Sequence, residues 1–376
     1  MRTLERITIS GYKSIKQASL QLGDLNVLIG ANGAGKSNFL SAFKLLRNII
    51  DRKLQLLIQD AGGANRLLYF GRKVTDKITI RLTFDTGQIF LGMSDGAEPR
   101  REKGDYGVSL IPTQQDSLQI AKEYGDILKL PDYDPMPPVT FAEGQLETGI
   151  YEARLPWVGK LITLMPHHGV YHFQDTGVDA RIKQNNPLND NQFLREDARN
   201  LAAFLYSLQV SSSVSYSRIV NTVRLAAPYI KDFILRPSPV NPDFIRFECS
   251  HKESEEYFDI SQLSDGTLRF ICLTTLLLQP NPPSLIIIDE PELGLHPAAI
   301  ELLIEMLRSA SVKSQVIIST QSVEMVRQFS PEEIIVVDRK NDESVFTRKN
   351  SQELAMWLDE YNMGELWEMN VIGGRP

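Results

Sequence analysis

Cysteine is scarce in this chain. Only Cys249 and Cys272 occur among 376 residues. Both lie in apolar or strand-like runs without metal-type spacing, so they read as buried thiols. Nothing in this usage demands an oxidising compartment. Long hydrophobic runs are also missing. The longest, Phe270 to Leu278, is broken by threonines and stops at Gln279-Pro280, short of a membrane span. The opening MRTLERITISGYKSI has no apolar core and no cleavage site, so no signal peptide is expected. A cytoplasmic protein with no membrane partner is the expectation. Positive charge is not in excess. The formal net charge is −7, which gives no sign of a constitutive basic nucleic-acid surface, although a local basic face remains compatible with it. Histidine is rare too. His167, His168 and His172 sit close together, but no matched carboxylate or cysteine set accompanies them, so they read as loop histidines. No internal repeat or low-complexity segment is present.

What the chain does contain is enough apolar residue for a sizeable core, at 42% hydrophobic and 23% charged. The length suits two or three ordinary domains, or one large domain with an insertion. Ile7 and Ile9, then Ser10-Gly11, then Ala18 to Leu22 predict two short strands joined by a turn. Asp24 to Ile29 reads as a buried strand, and Ser37 to about Ile50 as a helix with Leu40, Phe43 and Leu46 on its core stripe and Arg47 at its exposed edge. Further strands are expected at Lys77–Phe84 and Gln88–Gly92. From Met93 to Gly149 the text is polar and rich in Gly, Pro and Asp, centred on PDYDPMPP, and predicts an insertion with long loops. Helices are expected over Asp190–Tyr206 and Tyr216–Ala227, then strands near Phe244–Cys249 and Tyr257–Ile260. The last third alternates. Helix Gly266–Leu278, strand Leu285–Ile288, helix Pro297–Ala310, strand Gln315–Ser319, helix Val323–Phe329 and strand Glu333–Val337 together argue for a parallel sheet. Trp357 and Trp367 are expected to pack onto it.

The sharpest motif is Gly30-Ala31-Asn32-Gly33-Ala34-Gly35-Lys36-Ser37, followed by Asn38, which fits G-x-x-x-x-G-K-[ST] between a strand and a helix. Glycines let the backbone N–H groups turn inward around phosphates, and the helix start adds partial positive charge. Lys36 would reach the β- and γ-phosphates of ATP, and the Ser37 hydroxyl would coordinate Mg²⁺. Downstream, the apolar run Leu285 to Ile288 ends in Asp289-Glu290. An acid at the C-terminal end of a parallel strand faces the ligand crevice. Asp289 would hold the Mg²⁺ through water, and Glu290 would act as general base on the attacking water. Leu263-Ser264-Asp265-Gly266-Thr267 precedes a helix, and Ser264 or Asp265 also suits a plain N-cap.

That last segment resembles the LSGGQ signature of ABC ATPases, with Asp265 in place of a glycine. In that superfamily the signature of one subunit grips the γ-phosphate held by the other, and a helix N-terminus aimed at phosphate is the physical basis. Leu293-Gly294-Leu295-His296-Pro297 looks like the D-loop of these enzymes. In Ser319-Thr320-Gln321-Ser322, Gln321 stands where the family has its switch histidine. A glutamine can hydrogen-bond phosphate or water but cannot carry a proton at neutral pH. GYKSI, GANGAGKSN, LSDGTLRF, DEPELGLHP, STQS and LWEMNVIGGRP together resemble the stand-alone RecF/OLD-like ATPases related to SMC proteins. The resemblance spans nearly the whole length and is weakest between Met93 and Gly149.

It implies an α/β fold, namely an ABC-type P-loop ATPase head with a mixed or parallel sheet, antiparallel N-terminal strands and a helical lobe. Residues 1–92 and 263–376 would form the head and 93–262 the inserted strands, loops and helical lobe. It implies that Lys13 and Ser14 contact nucleotide phosphate, that Gln174 is one candidate for the Q-loop, and that two subunits enclose ATP as a dimer or larger assembly. Relatives without an effector domain partner a nuclease, toxin or reverse transcriptase in defence against phage or mobile elements. DNA or RNA clamped directly is the alternative partner, and a slow ATP-bound scaffold a third reading. Only about forty residues follow the last expected sheet strand, too few for the nuclease domain of OLD-type relatives. The long heptad arms of SMC proteins are missing.

Overall fold

A computed structural model describes residues 4–87, 102–128, 138–153, 158–159, 162, 170–177, 179–255 and 257–375. Along the chain come β1 (Leu4–Tyr12), β2 (Ile15–Gln21), β3 (Leu25–Ile29), α1 (Lys36–Ile50), α2 (Leu54–Ala61), β4 (Ile78–Gly87), β5 (Glu102–Pro112), β6 (Leu118–Leu128) and β7 (Val139–Ala142). Next are β8 (Val170–Tyr171), β9 (Asn186–Pro187), α3 (Leu201–Ser211), α4 (Ser213–Ala226), β10 (Ile230–Pro237), β11 (Phe244–His251), β12 (Tyr257–Asp259), α5 (Asp265–Leu278) and β13 (Leu285–Asp289). Then α6 (Pro297–Ser311), β14 (Gln315–Thr320), α7 (Val323–Val326), β15 (Ile334–Lys340), β16 (Glu343–Arg348) and α8 (Ser351–Leu358) follow. Two compact units result: Met1–Gly169 with Ser330–Tyr361 and Leu366–Pro376, and Val170–Phe329 with Asn362–Glu365.

In the first unit an antiparallel sheet runs β2-β1-β4-β5-β6-β7. β2 shows why. Ile15, Ala18 and Leu20 are buried while Lys16, Gln17, Ser19 and Gln21 face water, the period-2 pattern of a half-buried strand. The turn before it lies at Lys13-Ser14 rather than at Ser10-Gly11, because Tyr12 is still needed as a core residue and its hydroxyl lies 3.1 Å from Ser41 Oγ. The larger correction concerns residues 93–149. Where long loops were expected, β5, β6 and β7 extend the sheet. Tyr106, Val108, Leu110, Leu118 and Ile120 are buried, and the polar residues between them mask this pattern in the sequence. Gln88–Gly92 and all but the last residue of PDYDPMPP fall outside the described residues. α2 is an addition to the expected elements.

The same unit holds the strand that carries the site. β3 is buried at all five positions and pairs in parallel with β15, with Val27, Leu28 and Ile29 opposite Ile334, Ile335 and Val336. β16, a further addition, pairs antiparallel with β15. On α1, Leu40, Phe43 and Leu46 are buried as their spacing predicts. Trp367 is fully buried, and its Nε1 donates to Gly374 O at 2.5 Å. Trp357 does not join it. It is half-exposed and leans on Tyr361.

In the second unit β14, β13 and β8 are parallel. α5 is buried from Phe270 to Leu278 on nearly all sides, which fits its apolar run. α6 starts with Pro297 at its first position and His296 as N-cap. The helix expected over Asp190–Tyr206 begins only at Leu201. The Asn200 side chain donates to Asp190 O and Phe193 O, both at 2.8 Å, and accepts from Arg195 N at 2.9 Å, which holds the preceding segment in turns. β10, also beyond the expected elements, pairs antiparallel with β11. α7 stops at Val326 rather than reaching Phe329. Cys249 and Cys272 are buried, and burial pushes the Cys249 thiol up to about 12.

Candidate functional site

In the first unit β3 delivers the chain into Gly30–Ser37. Gly30 sits against β15 so closely that a Cβ would lie 2.2 Å from Val337 O. Gly35, at φ 118°, is the N-cap of α1 and supplies no side-chain cap. Gly35 therefore offers the first-turn N–H groups of α1 no side-chain acceptor, which is the ordinary form of an anion site at a helix start. Lys36 is 5% exposed, and its ammonium donates to Gly30 O at 2.5 Å and Ala31 O at 3.2 Å. A buried cation beside uncapped N–H groups suits a polyphosphate. Ser37 is exposed at the first turn. A cavity of about 430 Å³ borders the loop, lined by Ala31, Asn32, Gly33 and Ala34 together with Asp338, Arg339 and Arg375.

From the β1–β2 turn Ser14 reaches this loop, while Lys13 reaches α1. Lys13 takes φ 50°, and its Nζ donates to Ser41 Oγ at 2.9 Å. Burial, aided by the nearby Lys44, lowers its pKa. Ser14 Oγ accepts from Asn38 Nδ2 at 2.7 Å and lies 2.7 Å from Ser344 Oγ. Ser344 on β16 donates to Ala34 O at 2.6 Å. No motif surrounds Ser344, so nothing local in the sequence marks it.

The second unit gathers the acidic residues. Asp289 ends β13 and accepts from the Ser319 hydroxyl. Gln174 Nε2 donates to Asp289 O at 3.4 Å, which puts the Q-loop candidate beside this acid. Glu290 follows at φ 47°, an uncommon conformation for a residue with a Cβ, and its N–H donates to Ser319 O at 3.0 Å. Its carboxylate accepts from Gln321 Nε2. Glu292, which sequence reasoning missed, accepts at Oε1 from Thr320 Oγ1 at 2.5 Å and from Gln321 N at 3.2 Å. Burial raises its pKa against the lowering effect of these bonds.

Ser264 does serve as N-cap of α5, accepting from Thr267 N at 3.2 Å. That geometry suits the capping reading, and a signature role equally needs this serine at the helix start. Asp265 is exposed, 3.8 Å from Lys183 Nζ. Gly266 packs on the segment after β13, where a Cβ would lie 2.2 Å from Gly294 O. Arg269, one turn along, donates to Leu293 O at 2.7 Å and Gln174 O at 2.9 Å. So the signature-like, D-loop-like and Q-loop candidate segments touch one another within this unit. His167 and His168 lie outside the described residues, among which no group of three or more His, Cys, Asp or Glu is placed to hold a metal. No described helix is long and apolar enough to cross a membrane.

The family described as "AAA domain, putative AbiEii toxin, Type IV TA system" matches residues 25–327. An SmcHead structure bound to the C-winged helix domain of ScpA is similar, with a TM-score of 0.60 at 15% identity over 94% of this chain and 99% of that one. An Smc head domain from Pyrococcus furiosus, with an extended coiled coil and bound to the C-terminal domain of ScpA, gives a TM-score of 0.59 at 13% identity, over 96% and 99%. At such identities the likeness shows the fold, the mixed α/β ABC-type head expected from the sequence. No curated protein matches.

Proposed function

The chain belongs to this AAA-domain family, an ABC/SMC-like P-loop ATPase group, and from that premise we propose that it binds ATP with Mg²⁺, hydrolyses it and drives a partner effector. One observation carries the reading: the uncapped start of α1 with the buried Lys36 ammonium beside it. Uncapped N–H groups and one lysine offer fixed donors where a β,γ-diphosphate needs them. Residues Gly30 to Asn38 would cradle the phosphates, with Lys13 and Ser14 assisting.

The metal would take Ser37 as a ligand and Asp289 through water. Mg²⁺ draws most of its shell from phosphate and water, so a sparse protein set is sufficient. Bound there, it would neutralise charge developing on the phosphoryl oxygens. Glu290 would take the proton of the attacking water. Gln321 is already bonded to that carboxylate, so it would orient the base rather than carry a proton. Ser264, Asp265 and Gly266 would meet the γ-phosphate held by a second copy, closing a dimer around ATP that opens on hydrolysis. The family's description names a toxin–antitoxin system, and we extend the defence role to this chain on that ground.

A slow ATP-bound scaffold is the second reading, favoured by the same Gln321–Glu290 bond, because a carboxylate oxygen already taken by an amide donor is not free to receive a water proton. Turnover decides. Glu290→Gln should retain ATP affinity and lower hydrolysis by roughly 10²- to 10⁴-fold. Turnover already slow in the wild type and unmoved by Glu290→Gln would leave the scaffold. Tagged Glu290→Gln protein, captured from its native host, should bring down a stoichiometric nuclease, toxin or reverse transcriptase. Capture of nucleic acid alone would favour a direct clamp.

A further inference from the structure

Ser344 lies on β16, outside every motif that pointed to the nucleotide, yet it is 1% exposed and sits under the phosphate loop. Three contacts meet there. Ser344 Oγ is 2.6 Å from Ala34 O and 2.7 Å from Ser14 Oγ, and Asn38 Nδ2 is 2.7 Å from Ser14 Oγ. Each hydroxyl has one proton to give. Ser344 Oγ is the donor toward both Ala34 O and Ser14 Oγ, so its single proton is divided between the loop carbonyl, at the shorter distance, and the β1–β2 turn. The Asn38 amide occupies a Ser14 lone pair. The Ser344 N–H donates to Ser14 O at 2.8 Å and ties β16 to the β1–β2 turn.

A trans peptide is planar, with its C=O and N–H pointing opposite ways. Holding Ala34 O toward β16 therefore aims the Gly35 N–H away from β16. Among the described residues that N–H meets no acceptor. A Cβ on Gly35 would lie 2.0 Å from Ser344 Oγ, so the hydroxyl occupies the space a side chain would need. Glycine and serine are fitted to each other.

We propose that Ser344 is a positioning residue for bound nucleotide, which holds the Ala34–Gly35 peptide so that the Gly35 N–H is presented to a phosphate oxygen. The role rests on the ATP-binding reading above. Ser14 Oγ competes with Ala34 O for the Ser344 proton, and the Asn38 amide on Ser14 limits that competition.

The test is ATP affinity by calorimetry on the full chain, with nucleotide-free melting and steady-state turnover beside it. Ser344→Ala should weaken ATP binding roughly 5- to 15-fold. KM should rise with kcat nearly unchanged, and the nucleotide-free melting temperature should move little. Ser14→Ala leaves the Ser344–Ala34 bond in place and should weaken binding less. Should Ser344→Ala fail to fold, Ser344→Cys keeps a weak donor of similar shape and should show intermediate affinity. A folded Ser344 variant that binds ATP like the wild type overturns the proposal and leaves the ATP reading intact. Wild-type protein that binds no ATP overturns both.

Discussion

Glu292 shows how a single side chain can link the candidate site to pH. Its Oε1 has two donors, while Oε2 is buried without a hydrogen-bond partner among the described residues. Burial raises its pKa, and the nearby Glu290 adds to the effect. The sign follows directly. From the ordinary carboxylate range up to the raised folded value, the folded chain keeps a proton that the unfolded chain has lost. The stabilisation from this group is therefore full at low pH and is lost as pH rises through the folded pKa. Glu292→Gln keeps an acceptor for both donors and cannot ionise. In urea titrations from about pH 5 to about pH 8, the variant should gain on the wild type as pH rises, by about 1.4 kcal/mol for each tenfold by which folding weakens this acid. Parallel curves would mean that Glu292 does not titrate in this window. At this scale legibility divides sharply. Lys36, Asp289 and Glu290 announce themselves because their motifs are local. Glu292 and Ser344 do not, since burial and a distant partner, neither visible in a one-dimensional text, give them their character.

Elements were readable where one pattern ruled them. β3 is apolar but for Asn26 and β13 up to its terminal Asp289, and α1 keeps its helical stripe. The reading failed where a side chain overrode propensity, as Asn200 does by holding residues 190–200 in turns. It failed again in β5 and β6, where Gly104, Asp105, Gly107 and Gly125 are buried among the apolar residues yet read in the sequence as loop text. The start of α5 carries a testable consequence. Gly266 meets the Gly294 carbonyl with no room for a methyl group, and a backbone oxygen cannot swing aside as a side chain can. Gly266→Ala should cost roughly 1–3 kcal/mol in urea denaturation. Losing less than that would show the Gly294 segment to be yielding.

For the molecule as a whole, the fold and the family were legible because the motifs come in the right order, whereas the identity of the proposed effector was not, because no motif of this chain encodes it. The assembly proposal makes a mass prediction. With ATP and Mg²⁺, Glu290→Gln should sediment as a dimer, and adding Ser264→Arg should return it to monomer by placing a bulky cation at the start of α5. Mass indifferent to ATP and to both changes would remove the sandwich. The first unit adds a consequence of another kind. Ala34 is held by a residue 310 positions later, and the first unit closes only with segments after Ser330. At ribosomal rates of roughly 5–20 residues per second, the loop waits on the order of 15–60 s for that partner to be synthesised. Until then a nascent chain has the nucleotide motif but not the brace that shapes it, so ATP can favour chains that have passed Ser344 over precursors that stop short of it.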